Sequence, residues 1–303
     1  STEQVLTLSA RGPTPGRALA NLSKITSRKL YLGHLQAVVI GEDLARQGIG
    51  GVIDGLMRDP VANRRARVFL AHRARDILAQ PTPGELLPTL YFMTFFTAKA
   101  SEDFTADVPL WRIWHDLLMP ARAAYLPTVG SSQGQFQLQG LALLSDNRLV
   151  DRLDGNVCRG LKLARGEVRT GNLTIKAGGQ TYTVRILGSR RWITAAWWEE
   201  DEAHLQLGLR VFGTLTENGQ LGTPVTSKVY AALEEAVAAQ VRTEAEAAIK
   251  VAQAAGADVF NFGEYMRVAD PRRWDPRRWP DKFRTAVVKV VVEVRIENSG
   301  ILD

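Results

Sequence analysis

Residues 227–255 read SKVYAALEEAVAAQVRTEAEAAIKVAQAA, and this stretch decides the fold class. Val229, Leu233, Val237, Val241, Ala245 and Ile249 recur every four residues and form one apolar stripe, as an amphipathic helix requires. Glu246 and Lys250 add a supporting i,i+4 pair, and Gly256 is placed to stop the helix. At 1.5 Å per residue, about 29 residues make a helix of roughly 43 Å, long enough to cross a whole sheet. Strands surround it. Residues 173–176, 182–187 and 205–216 change to period two, and 285–296 puts Val288, Val290, Val292, Val294 and Ile296 on one side.

The first third of the chain alternates short elements. Residues 5–8 form a candidate strand. A helix over 15–25 follows, with Pro15 at its start and Ala18, Leu19, Leu22 and Ile25 at helical spacing. Residues 35–40 read as a buried strand between Gly33 and Gly41, and Ile49, Ile53, Leu56 and Met57 mark a helix that Asp59-Pro60 ends. A strand at 67–71 and a short helix at 74–78 complete this part. Pro81, Pro83 and Pro88 mark a boundary. Beyond it, 85–99 and 110–118 are helical stretches carrying Tyr91, Phe92, Phe95, Phe96, Trp111 and Trp114. Packing against a core is the favoured reading of these aromatics, with a docking surface as the other. Residues 135–144 and 148–153 flank Ser145-Asp146-Asn147 as a hairpin.

These patterns predict an α+β protein of three mixed α/β domains. The first covers 1–80 and is expected to be truncated at its start. The middle one, 81–165, is helical with a hairpin at 135–153 that is able to return to the first domain. The last, 166–303, is an antiparallel-rich sheet packed on one long helix.

With 303 residues, 45% of them hydrophobic and 23% charged, the chain falls in the range of folded multidomain proteins and outside that of disordered or collagen-like chains. Thirty-eight Lys and Arg against 32 Asp and Glu leave +6, a mild bias that argues weakly for nucleic acid, and none is expected as a partner. A single cysteine, Cys158, can form no internal disulfide. No segment reaches the 18 or so apolar residues of a membrane span. The chain begins at Ser1 without a methionine, inside an extended stretch, so an upstream segment is expected to have been removed.

His34, His72, His115 and His204 are far apart, without HExxH or a His pair at i,i+4. GxxxxGK[ST] and GxGxxG are missing from the sequence, and Gly48-Ile49-Gly50-Gly51 reads as a tight helix entry rather than a phosphate loop. The acidic run Glu199 to Glu202 reads as a solvated turn. No enzyme, metal or cofactor is expected. Two basic clusters remain, one at Arg58, Arg64, Arg65, Arg67, Arg73 and Arg75, the other around Trp274 and Trp279. In the second, Asp270, Asp275 and Asp281 offset half the charge, which favours ion pairs and arginines packed on indoles over polyanion binding.

Several segments resemble one family. Residues 33–45, GHLQAVVIGEDLA, are similar to the GHLKxxxxGEELA stretch of the Ger(x)C proteins, the C subunits of bacterial spore germinant receptors. Arg58-Asp59-Pro60 with Arg64-Arg65 and the run to Leu78 resembles that family's RDP…RR…DIL segment. Gly140 to Leu144, Asn147 to Val150 and Arg159-Gly160-Leu161 resemble its hairpin and RGL helix, although Val157-Cys158 replaces the usual acidic-Thr pair. Residues 257–265, ADVFNFGEY, then Pro271, Trp274, Trp279 and the strand running to Gly300, resemble its ending.

The resemblance implies a non-enzymatic C subunit with three α+β domains, held by an N-terminal lipid at the outer face of the spore inner membrane. It further implies integral-membrane A and B subunits as partners. The lipidated cysteine would lie upstream of Ser1, since Cys158 is internal. Arg64, Arg65, Trp274, Arg277 and Trp279 are the candidate partner contacts, chosen for their arginine and aromatic character. Two competing readings are a soluble small-ligand binder or enzyme with an interdomain site, and a polyanion-binding module.

Overall fold

A computed structural model describes residues 7–27, 30–79, 105–132, 135–218 and 226–297. Their contacts group into two compact units. The first holds the described residues up to 79 together with those of 107–152; the second holds 105–106 and the described residues from Leu153 onward.

In the first unit, helix α1 (Pro15–Leu22) starts where Thr14 Oγ1 accepts from the Arg17 amide at 3.2 Å. It ends three residues before the expected Ile25, which lies exposed in the turn that follows. Strand β1 (Ala37–Gly41), helices α2 (Glu42–Gln47) and α3 (Gly50–Arg58), strand β2 (Arg67–Ala71) and helices α4 (Ala74–Leu78) and α5 (Leu110–Leu118) come next. Strands β3 (Ala124–Ser132), β4 (Gln135–Ser145) and β5 (Arg148–Leu153) complete a five-stranded sheet in chain order. β1, β2 and β3 are parallel neighbours, and β4 runs antiparallel to β3.

Phe69, Ile77, Val129 and Phe136 form one core cluster of this sheet. On α5, Leu110 and Ile113 are fully buried while Trp111 is half exposed. The glycine run does serve as a helix entry. Gly48 has φ of +127°, and the Ile49 and Gly50 amides donate to Asn147 O and Asn147 Oδ1 at 2.9 and 3.3 Å, so the β4–β5 turn occupies donors that a phosphate would need.

Two expectations fall wholly or partly outside the described residues: the helix at 85–99 and the first half of the strand at 5–8, whose Thr7 and Leu8 are described and carry no strand. The segment expected as a middle domain, 81–165, contains residues 81–104 and 133–134 of that set; its described strands β3 to β5 share the sheet with β1 and β2.

The second unit begins with helix α6 (Gly155–Ala164) and a sheet of β6 (Gly171–Ala177), β7 (Gln180–Glu199), β8 (Glu202–Glu217) and β9 (Val287–Glu297). β6, β7 and β8 are antiparallel in turn, and β9 lies parallel to β8. Parallel neighbours need a long crossover. Helix α7 (Ser227–Ala254) is the main element of that connection, touching both edge strands β6 and β9. Leu233, Val237, Val241, Ala245 and Ile249 of the predicted stripe are buried, and Gly256, with φ of +62°, follows the last turn.

Helices α6 and α7 cross at Gly160. A Cβ there would stand 2.0 Å from the Glu244 carbonyl oxygen, so only glycine permits the approach. Among the described residues, no helix is long and apolar enough to cross a membrane.

Candidate interaction site

Between α7 and β9 the chain makes two short helices, α8 (Phe262–Ala269) and α9 (Trp279–Thr285), and the tip of the β7–β8 hairpin reaches them. Asp258 organises this region. Its buried carboxylate accepts from the amides of Phe260 and Phe262 at 3.1 Å, from the Gly263 amide at 2.7 Å and from Trp279 Nε1 at 2.9 Å. The carbonyls of the same turn are held by arginines, with Arg165 donating to Val259 O and Arg191 to Phe260 O at 2.7 Å. Burial pushes the Asp258 carboxyl up from its ordinary value, and the four N–H donors oppose that shift. Burial likewise lowers Arg191, with the nearby Arg165 charge acting in the same direction.

This turn seats two indoles. Gly263 lies under both, since a Cβ would stand 2.8 Å from Trp274 Cη2 and from Trp279 Nε1. The Trp274 and Trp279 rings are 5.2 Å apart, and Trp198 meets Trp279 edge-on at 6.5 Å. Above them opens a cleft of about 310 Å³ with a charged rim.

On that rim, Lys282 pairs with Asp201 and holds its carboxyl below the usual range, while Arg273 donates to Glu200 O at 2.9 Å. Outside the lining itself, Arg277 lies 3.5 Å from the rim residue Asp275 and projects 91% exposed. The Arg277 backbone amide, more than its charge, depresses the Asp275 carboxyl. Among the described residues, Arg272 has no ion-pair partner and lines the same cleft. The arrangement is an aromatic floor under a mixed rim, with Arg272 as a rim cation without an ion pair among the described residues and Arg277 exposed beside the rim.

The structure therefore brings Trp274, Arg277 and Trp279 to one place. Trp279 is 1% exposed and forms the floor, so contacts there run through its neighbours. Trp274 is half-buried, and Arg64 and Arg65 are exposed on the loop before β2, in the first unit. The acidic run does form the β7–β8 turn, with Glu200 at φ of +49°.

Besides Asp116 on α5, which pairs with Arg122, three buried carboxylates went unread in the sequence although they fall inside or beside quoted segments. Asp258 is one. Glu244 accepts from Arg159 Nε and Nη2 at 2.7 and 2.5 Å, joining α6 to α7 beside Gly160. Glu42, at the start of α2, takes His72 Nδ1 at 3.0 Å, Arg152 Nη2 at 2.6 Å and Arg46. The His72 contact, more than the two arginines, holds the Glu42 carboxyl below its usual range. In the sequence each stands next to a glycine or alanine, namely Gly41, Ala245 and Ala257.

Comparison with known proteins matches residues 1–131 to the spore germination protein N-terminal domain and residues 139–300 to the spore germination B3/GerAC-like C-terminal domain. The chain is 24% identical to the putative spore germination protein YfkR of Bacillus subtilis strain 168, covering 97% of this chain and 79% of that one. It is 20% identical to the spore germination protein GerQC of Bacillus cereus, over 97% and 83% of the two chains. A crystal structure of the GerBC protein shares the fold with a TM-score of 0.72 at 18% identity, covering 91% of this chain and 83% of that one.

Proposed function

This chain belongs to the Ger(x)C family of spore germination proteins, and we propose that it is the lipid-anchored C subunit of a nutrient germinant receptor. It acts without catalysis, through contacts with integral-membrane A and B subunits at the outer face of the spore inner membrane. The observation that carries this reading is the match of both family domains, in order, across nearly the whole chain. Its contact residues are Arg64, Arg65, Trp274 and Arg277, with Trp279 as the support beneath; the exposed arginines and the indole-floored cleft favour a protein partner. A lipid on a cysteine upstream of Ser1 holds the protein at the membrane without a span. The three-domain division belongs to the same proposal.

Mass spectrometry of the native protein from spore membranes tests the anchor. A diacylglyceryl-modified N-terminal cysteine is expected; a native chain that starts at an unmodified methionine contradicts it. Deleting the gene should abolish or slow germination in response to at least one nutrient, and an unaltered response to every nutrient contradicts the receptor role.

A further inference from the structure

β9 closes the second sheet, with β8 as its neighbour, and among the described residues no strand pairs with its other edge. Eleven residues make it a long edge, and its sequence, VVKVVVEVRIE, contains no proline. A long uncovered edge is a template for pairing with another chain, and its charges discourage every partner that does not complement them.

The direction of its free groups can be read from one contact. The Ile296 amide donates to Glu234 Oε1 at 2.9 Å, so it points away from β8. Alternate residues of a strand point their N–H and C=O to the same side, so Val288, Val290, Val292 and Val294 also present theirs outward. The side chains of Val290 and Val292 are buried, while Lys289 and Glu293 stand on the opposite, solvent-facing side.

We propose that this edge pairs antiparallel with the same edge of a second copy, about a two-fold axis through Val291. In that register Val290 faces Val292 of the other copy and Val288 faces Val294, and each pair exchanges two N–H to O=C bonds. Lys289 then faces Glu293 of the other copy, twice over by symmetry. Centring the axis on Val290 sets both charges opposite valines, and centring it on Val292 sets Lys289 opposite Arg295. The strand is complementary to itself in one register, which is what a two-fold interface requires. Glu293 already accepts from Arg210 at 2.9 and 2.6 Å, and a carboxylate has further lone pairs for a lysine. The pairing does not depend on the receptor assignment.

Sedimentation velocity over a concentration series of the intact chain tests it, with two variants. Lys289→Glu and Glu293→Lys each place like charges opposite one another, and each should weaken dimerisation by about tenfold or more. An equimolar mixture of the two restores opposite charges at both positions and should dimerise like the unmodified chain. A third variant, Val291→Cys, should cross-link to itself on mild oxidation, because opposed residues in a non-hydrogen-bonded pair lie about 4.5 Å apart at Cα; native Cys158 is buried. A chain that stays monomeric throughout overturns the proposal, as do charge variants that dimerise unchanged or a mixture that fails to recover.

Discussion

Glu42 in the first unit and Asp258 in the second are both buried carboxylates, and they are satisfied in opposite ways. Glu42 gathers charged or chargeable side chains from three places along the chain, and the side chains of Arg46, Arg152 and His72 keep 57%, 43% and 78% of their exposure. Asp258 takes three amides from the five residues that follow it and one indole N–H, with no charged partner bonded to it. The first is a clasp between elements whose cations can return to water. The second is a local turn whose donors have nowhere else to go, so its loss leaves buried N–H groups unpaired. Glu244 lies between the two: buried like Asp258, but paired with a cation like Glu42.

The largest effect is therefore expected at Asp258. Asp258→Ala should cost about 4 kcal/mol and release both Trp279 and the start of α8. Hydrogen exchange of the Gly263 amide measures it directly, and unchanged protection would break the contrast. Gly160→Ala should cost about 3 kcal/mol, because α6 and α7 must separate at the Glu244 carbonyl, as chemical denaturation would show. Glu42→Gln should cost about 1 to 2 kcal/mol, since its partners rehydrate.

The pH dependences sharpen the same contrast. The folded Glu42 carboxyl lies below its ordinary 4.5, so its contribution is full above that value and is lost as pH falls through the folded value. Asp258 lies above its ordinary 3.8, so its contribution is full below 3.8 and is lost as pH rises through the folded value. The stability advantage over Glu42→Gln should shrink on acidification, whereas the advantage over Asp258→Asn should shrink as pH rises; denaturant midpoints between pH 3 and 7 check both. The smallest effect belongs to Arg277→Ala, within about 0.5 kcal/mol, because the side chain is almost wholly exposed.

Elements with strong periodicity could be read directly. β2, α4 and α5 carry the bounds expected of them, and α7 ends one residue early. β3 escaped because Pro127 interrupts it; the proline sits in an interior strand, opposite Leu141 and beside a register shift after Thr128, where the ladder tolerates a missing N–H. The outer half of β7 escaped because Gly188, Arg190 and Arg191 break the apolar alternation, although Arg190 and Arg210 stack on Phe212 and Trp192. At the cleft, the co-location of Trp274, Arg277 and Trp279 followed from their closeness in sequence. The contribution of Asp201 and Trp198 did not, because it depends on the hairpin tip folding back over some seventy to eighty residues of chain.

Co-purification from spore membranes tests the central claim most directly. A tagged full-length chain should bring down the A and B subunits, and the combined variant Arg64→Ala, Arg65→Ala, Trp274→Ala and Arg277→Ala should recover at least about tenfold less while keeping its fold. Trp279 is left unchanged because its loss would disturb the Asp258 turn. Failure of the unmodified chain to recover either subunit, or equal recovery by the folded variant, would contradict the account.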